Sequence, residues 1–208
     1  CTATASTALV VNPLPNIVAV TSGNVCENFS LTLSAVGGVS FVWTGPNGFV
    51  SFQQNPVIGS AIMANNGIYT VSGTDANGCV NTATVAQVIF AKPVITVAGS
   101  NACIDDQLLP TASGGSTYQW SGPNGFSSNV QNPVISNVVP GNAGAYNVTV
   151  TSAAGCVSNG TVFCNVYPKP NVSFTGNTEA CYGTPFAFNA HGAISYKWLG
   201  TFGIAQLG

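Results

Sequence analysis

Sixteen residues, WTGPNGFVSFQQNPVI at Trp43 to Ile58, return almost unchanged as WSGPNGFSSNVQNPVI at Trp120 to Ile135. The repetition extends through the whole chain. Cys26, Cys103 and Cys181 fall 77 and 78 positions apart, and so do Trp43, Trp120 and Trp198. Tyr69 and Tyr146 are 77 apart, as are Cys79 and Cys156, while Pro15, Pro93 and Pro170 keep intervals of 78 and 77. Cys1 lies 14 before Pro15, just as Cys79 and Cys156 lie 14 before Pro93 and Pro170. The period therefore divides the 208 residues into the tail of a preceding repeat (1–14), two whole repeats (15–92 and 93–169) and the first half of a further, truncated one (170–208). A fixed period is decisive because each copy must be one structural unit that is used again.

Within one copy the pattern is β throughout. Asn16 to Thr21 reads as a first strand. In Phe29 to Ala35, Phe29, Leu31 and Leu33 alternate with Ser30, Thr32 and Ser34, the signature of a half-buried strand. Val39 to Trp43 alternates again and leads into Gly45-Pro46-Asn47-Gly48-Phe49. Pro46 suits the second position of a type I turn and Gly48 the left-handed position that closes a hairpin. Phe49 then returns beside Trp43. Tyr69 and Val71 share one face of the next strand, with room for a short helical turn before it. Asn77-Gly78 is a hairpin signal, and Cys79 opens the last strand. About seven short strands per repeat, with no helical periodicity, predict an all-β fold of tandem sandwiches. Trp43, Phe49, Tyr69, Trp120, Phe126, Tyr146 and Trp198 are its expected core and turn anchors.

Composition narrows the function. Charged residues are 4%, against roughly 25% in ordinary globular domains. Three lysines, Lys92, Lys169 and Lys197, leave nothing to neutralise a nucleic-acid backbone. No apolar run reaches the length of about 18 residues that a membrane helix needs. The acids are Glu27, Asp75, Asp105, Asp106 and Glu179, and they do not recur from copy to copy. The single histidine, His191, has no recurring nucleophile beside it. These features predict no catalytic residues, no cofactor and no enzyme activity.

Seven cysteines carry most of the remaining information: Cys1, Cys26, Cys79, Cys103, Cys156, Cys164 and Cys181. The periodic pairs Cys26 with Cys79 and Cys103 with Cys156 are each 53 apart. A bond closing such a loop would stabilise by about 4 kcal/mol in the chain-entropy model. Disulfides place the chain outside the cell or on its surface. Only Cys156 and Cys164 are close in sequence, so no metal site is expected. Cys1 and Cys181 are left to partners beyond these residues. Cys164, which stands where the first repeat has Gln87, is open to an unusual intrachain bond, a bond to another chain, or a free thiol. Four sequons, at Asn28, Asn147, Asn159 and Asn171, are candidate glycosylation sites, with Asn147 facing solvent between inward neighbours.

The combination of Cys26, Trp43, GPNGF, QNPVI, GIYTV and NGC, repeated as Cys103, Trp120, GPNGF, QNPVI, GAYNV and AGC, resembles the immunoglobulin-like or PKD-like repeats of large secreted surface proteins of Bacteroidota. The resemblance covers both whole repeats, the tail from Cys1, and Cys181 to Trp198. It implies an immunoglobulin-like sandwich in a gliding- or adhesion-type protein, displayed at the cell surface and anchored by a separate signal. Departures are visible. Trp198 is followed by LGTFGI, and Cys79 comes ten residues after Tyr69 where an antibody-type domain has a cysteine two after its corner tyrosine. The expected function is a structural stalk or filament segment, and the alternative is a carbohydrate-binding module in every repeat. Expected partners are adjacent repeats of the same chain, neighbouring copies in a lateral assembly, and surface glycans. The short proline-bearing links, Ala91-Lys92-Pro93 and Pro168-Lys169-Pro170, predict an advance of roughly 35 to 45 Å per repeat.

Overall fold

The computed structural model describes residues 1, 3–176, 179–185, 187–199 and 205–207. In the first repeat the strands are β1 (Val18–Thr21), β2 (Val25–Cys26), β3 (Leu31–Val36), β4 (Ser40–Gly45), β5 (Phe49–Ser51), β6 (Val57–Ile58), β7 (Gly67–Thr74), β8 (Val80–Gln87) and β9 (Ile89–Phe90). They form one sheet of order β1-β3-β6 and another of order β5-β4-β7-β8, and β2 runs parallel to β9. The chain thus leaves the edge of the first sheet after β1 and joins the far edge of the second. Two antiparallel sheets with such a switching edge strand make an immunoglobulin-like β-sandwich.

The alternation read from the sequence is what closes this core. Leu31, Leu33 and Ala35 from β3 meet Phe41 and Trp43 from β4 and Tyr69 and Val71 from β7, with Ile17, Ala61 and Ile89 completing the cluster. Val71 stands two residues after Tyr69, where an antibody-type domain would put its core cysteine, and it is fully buried. Apolar packing thus occupies the position of a core-crossing disulfide.

Phe29 does not belong to this face, contrary to its place in the alternation. It is 57% exposed, with the Lys92 ammonium 5.5 Å from its ring centroid. The reason is local: Asn28 adopts φ 67°, so the backbone turns before Leu31 and the strand period begins only there.

The second repeat holds β10 (Thr96–Ala98), β11 (Asn101–Cys103), β12 (Gln107–Leu108), β13 (Thr111–Ser113), β14 (Thr117–Ser121), β15 (Ser127–Ser128), β16 (Ile135–Ser136), β17 (Gly144–Thr151) and β18 (Val157–Tyr167). One sheet has the order β11-β18-β17-β14-β15, and β10-β13 and β12-β16 form two-stranded pairs. The counterpart of β3 is split into β12 and β13 around Leu109-Pro110, because proline has no N–H for the ladder. Leu108, Ala112, Tyr118, Trp120, Val138, Tyr146, Val148, Val150, Val162 and Cys164 are buried.

In 170–208, β19 (Ser173–Gly176) pairs with β20 (Phe188–His191), and β21 (Lys197–Leu199) with β22 (Ala205–Leu207). Most of the LGTFGI segment, Gly200 to Ile204, lies outside the described residues. By packing, the chain divides into two compact units, Cys1–Thr96 with Ala112–Gln119 and Val148–Gly160, and Val97–Thr111 with Trp120–Asn147 and Thr161–Gly208.

Candidate functional site: an aromatic cassette and a cysteine joint

The duplicated motif is a packing cassette. Trp43 and Trp120 are 0% exposed, and their indole N–H groups donate to the carbonyls of Gln54 (3.2 Å) and Gln131 (3.1 Å). The QNP segment therefore satisfies the one polar group each tryptophan carries into the core. Tyr69 donates its hydroxyl to the Asn65 carbonyl at 2.9 Å, and Tyr146 to Asn142 at 2.8 Å. These are tyrosine corners, made without the cysteine that accompanies them in antibody domains. The accepting residue ends a single turn of 3-10 helix, Met63–Asn65 or Pro140–Asn142. Its side chain holds that turn, because Asn65 Oδ1 accepts the Ile62 N–H (3.0 Å) and Asn142 Oδ1 accepts that of Val139 (2.9 Å). The short helical turn allowed before Tyr69 is thus present.

Gly45 and Gly122 explain the invariant glycine of the motif. A Cβ at Gly45 would stand 2.3 Å from the Tyr69 ring, and one at Gly122 would stand 2.4 Å from Tyr146. Phe49 and Phe126 meet the same tyrosines edge to face, at 5.5 and 5.4 Å between centroids. Phe49 therefore packs over Gly45 onto Tyr69, its register partner being Gly45 and not Trp43. The turn also differs from the type I reading. Phe49 N–H bonds to the Pro46 carbonyl (3.1 Å), and Asn47 and Gly48 both have positive φ, 55° and 69°. Asn-Gly is thus the central pair of a primed hairpin turn, with Pro46 preceding it. Burial pushes the Tyr69 hydroxyl pKa up, opposed by its bond to Asn65; burial and then the neighbouring Cys164 push that of Tyr146 up.

The cysteines are connected differently from the spacing-based expectation. Cys26 is bonded to Cys156, 130 positions away, with Cα atoms 5.6 Å apart. The pairs Cys26 with Cys79 and Cys103 with Cys156 do not form, and Cys79 and Cys103 are free and half-buried. Equal spacing is no guide here, because a period repeats every cysteine at the same interval whether its partner lies in the same copy or the next. The local mould is clear. Cys26 lies opposite Phe90 in the parallel β2–β9 pair. The Cys156 sulfur comes to rest 3.7 Å from the Phe90 carbonyl. Cys156 itself sits at the end of a tight turn, its N–H donating to Ser152 Oγ (3.2 Å).

Cys1 and Cys181 are free and exposed, and Cys164 is a free thiol, 1% exposed. Its sulfur accepts the Ser100 N–H at 3.4 Å, at the position where Gln87 in the first repeat donates to the Gly23 carbonyl (2.9 Å). The Asn28, Asn147, Asn159 and Asn171 side chains are exposed. Asn147 and Asn159 are tied by cross-strand bonds, Thr161 donating to Asn147 (2.7 Å) and Thr149 to Asn159 (3.0 Å).

Two of the acids serve local structure. Asp75 accepts the N–H groups of Asn77 (2.9 Å) and Cys79 (2.8 Å), capping the hairpin turn. Asp105, at φ 69° like its counterpart Asn28, binds Lys169 at 2.8 Å. That hydrogen bond, reinforced by the carboxylate charge, holds the Lys169 ammonium pKa above its ordinary value; both groups are exposed, so solvent screens the pair. Among the described residues no group of three or more His, Cys, Asp or Glu could hold a metal. A hollow lined by Val172, Phe174, Ala190, Tyr196 and Trp198 runs along β19, β20 and β21. Trp198 there stacks on Phe188 at 5.6 Å. Tyr196 and Trp198 are the counterparts of the buried Tyr118 and Trp120, so this is a core face rather than a ligand cleft.

No family model matches the chain, and no curated protein does. Among solved structures it is similar to three N-terminal domains of the outer capsid protein Hoc of bacteriophage RB49, at 11% identity and a TM-score of 0.41 over 93% of this chain and 78% of that one. It is also similar to the insect immune protein hemolin, at 11% identity and a TM-score of 0.42 over 76% of this chain and 47% of that one. A third is the amphioxus IgVJ-C2 molecule, at 17% identity and a TM-score of 0.34 over 67% of this chain and 98% of that one.

Proposed function

We propose that the chain is a non-enzymatic stalk or filament segment of an extracellular, adhesin-like surface protein, in which tandem sandwiches of about 77 residues give reach and stiffness. The observation that carries this reading is the Cys26–Cys156 bond. It closes a covalent loop that leaves the first repeat, passes through the Lys92-Pro93 link and ends in the second. A binding domain has no need of such a loop, whereas a load-bearing one gains directly from it. The same bond supports an oxidising, extracellular setting. The low charge and the many exposed valines suit a segment that lies along others of its kind.

The second reading, a carbohydrate-binding module in each repeat, has less support. Its natural platform, the tryptophan of each whole repeat, Trp43 and Trp120, is buried. Of the large exposed aromatics, Phe29, Phe52 and Phe163 have non-aromatic counterparts in the other repeat, namely Asp106, Asn129 and Ala86.

Single-molecule extension of the chain, held at its two ends, tests the stalk. Oxidised, it should withhold the loop of 130 positions, roughly 430 to 470 Å of extended chain that reduction then releases. An oxidised chain that stretches like an unstructured polymer would overturn the reading. Saturable binding to an immobilised polysaccharide, lost on unfolding, would favour the module.

A further inference from the structure

Each sulfur forms one bond, so the Cys26–Cys156 bond leaves Cys79 and Cys103 without the partners their own repeats could offer. We propose that these two cysteines are halves of further bonds of the same kind: the early cysteine of every repeat is linked to the late cysteine of the repeat that follows it. Cys103 then takes the late cysteine of a copy placed after the second repeat, and Cys79 the early cysteine of a copy placed before the first. This inference rests on the repeat and its geometry and not on the stalk reading.

The backbone around each free thiol carries the argument. At Cys26, the carbonyl accepts the Phe29 N–H (3.2 Å), the Glu27 N–H reaches the Phe90 carbonyl (2.9 Å), and Cys26 faces Phe90 across a parallel pair. At Cys103, the carbonyl accepts the Asp106 N–H (3.0 Å), the Ile104 N–H reaches the Tyr167 carbonyl (2.9 Å), and Cys103 faces Tyr167 across the parallel β11–β18 pair. The seat that holds the Cys156 sulfur beside Phe90 is thus built again beside Tyr167.

The late cysteines match as well. Ser152 N–H donates to the Cys156 carbonyl (2.8 Å) and Gly155 N–H to the Ser152 carbonyl (2.9 Å). Asp75 N–H donates to the Cys79 carbonyl (3.0 Å) and Gly78 N–H to the Asp75 carbonyl (3.1 Å). The side chain at the head of each turn accepts the cysteine N–H, from Ser152 in one and Asp75 in the other. Cys79 is therefore presented by the same turn as a cysteine that is bonded. Cys164 is not a competitor, being buried at the Ser100 N–H.

Formation of each bond takes two thiols to one disulfide. The two protons and two electrons pass to a disulfide of an exchange catalyst or of oxidised glutathione, which leaves as two thiols.

Peptide mapping without reduction, after alkylation of free thiols, tests the rule on the chain as it is. A Cys26–Cys156 peptide with label on Cys79 and Cys103 is expected; a Cys26–Cys79 or a Cys103–Cys156 peptide overturns the proposal. A second chain carries an extra copy of residues 93–169 inserted between Lys169 and Pro170, with a marker substitution beside each of its cysteines, and is refolded with oxidised glutathione. Labelling of Cys103 should fall at least tenfold, with Cys103 recovered joined to the inserted late cysteine, while Cys26–Cys156 persists. Cys103 still labelled beside an intact Cys26–Cys156 bond, or inserted cysteines joined to each other, overturns it.

Discussion

Replacing Gly45 by alanine isolates the steric reason for the duplicated motif. The substitution adds one methyl group and no polarity. Gly45 has no positive φ, so alanine meets no backbone penalty there. The whole cost comes from a Cβ 2.3 Å from Cδ1 and 2.6 Å from Cε1 of Tyr69. Such a contact must open by more than 1 Å to reach ordinary van der Waals distance. The ring has nowhere to go, being fixed by its hydroxyl bond to Asn65 and by the edge of Phe49. Overpacking of this kind costs about 1 to 3 kcal/mol, which in a unit of this size lowers the melting temperature by roughly 5 to 20 °C. The same change at Gly122 should act on Tyr146. Gly59→Ala is the control, since a Cβ there meets nothing within 4 Å and the φ is ordinary. Differential scanning calorimetry of the three variants reads the outcome. A Gly45→Ala chain that melts with the Gly59→Ala chain would refute the claim that the tyrosine ring selects this glycine.

The raised pKa of Tyr69 and of Tyr146 means that the folded state holds their protons more tightly than the unfolded one. Their contribution to stability is therefore complete below about pH 10 and is lost as pH rises through the folded-state value. A Tyr69→Phe, Tyr146→Phe chain should melt lower near neutrality, by about 1 to 3 kcal/mol for each orphaned carbonyl, yet lose less between pH 9 and 12 than the parent, and a parallel decline would count against it. Cys164 should resist iodoacetamide in the native chain and react on unfolding, while Cys79 and Cys103 react at once, as mass spectrometry of timed quenches can show. Equal native labelling of Cys164 would remove it from the core.

The sequence made one repeat's sheets legible and left its joints obscure. Leu31, Leu33, Phe41, Trp43, Tyr69 and Val71 could be placed because burial imposes a period of two, and that period is written in a single strand. Phe29 failed because a left-handed residue before it shifted the start of the period, and nothing in Asn28-Phe29-Ser30 declares that φ. Gly45 was visible as a repeated letter, but its cause is a ring 24 positions away. The cysteine pairing was the hardest feature to read. A within-repeat pair and an n to n+1 pair generate identical spacings, so only the coordinates of Phe90, Cys26 and Cys156 distinguish them.

Connectivity also decides what a break in the backbone does. With bonds inside each repeat, the peptide link at Lys92-Pro93 would be the sole covalent route from one repeat to the next. With Cys26 bonded to Cys156, that link lies inside a closed loop and the disulfide is a second route. If the proposed rule continues along a longer array, two routes run side by side at every joint, and neither a single proteolytic cut nor a single reduction parts the chain. A protease recognition sequence placed between Lys92 and Pro93 makes this measurable. After cleavage, a denaturing gel run without reductant should show one species of undiminished mass, because residues on both sides of the cut remain joined through Cys26 and Cys156. Reductant should resolve it into two fragments, and a Cys156→Ser chain should give the two fragments without any reductant. Two fragments from the unsubstituted chain in the absence of reductant would show that no bond crosses this joint, and the second covalent route would be lost.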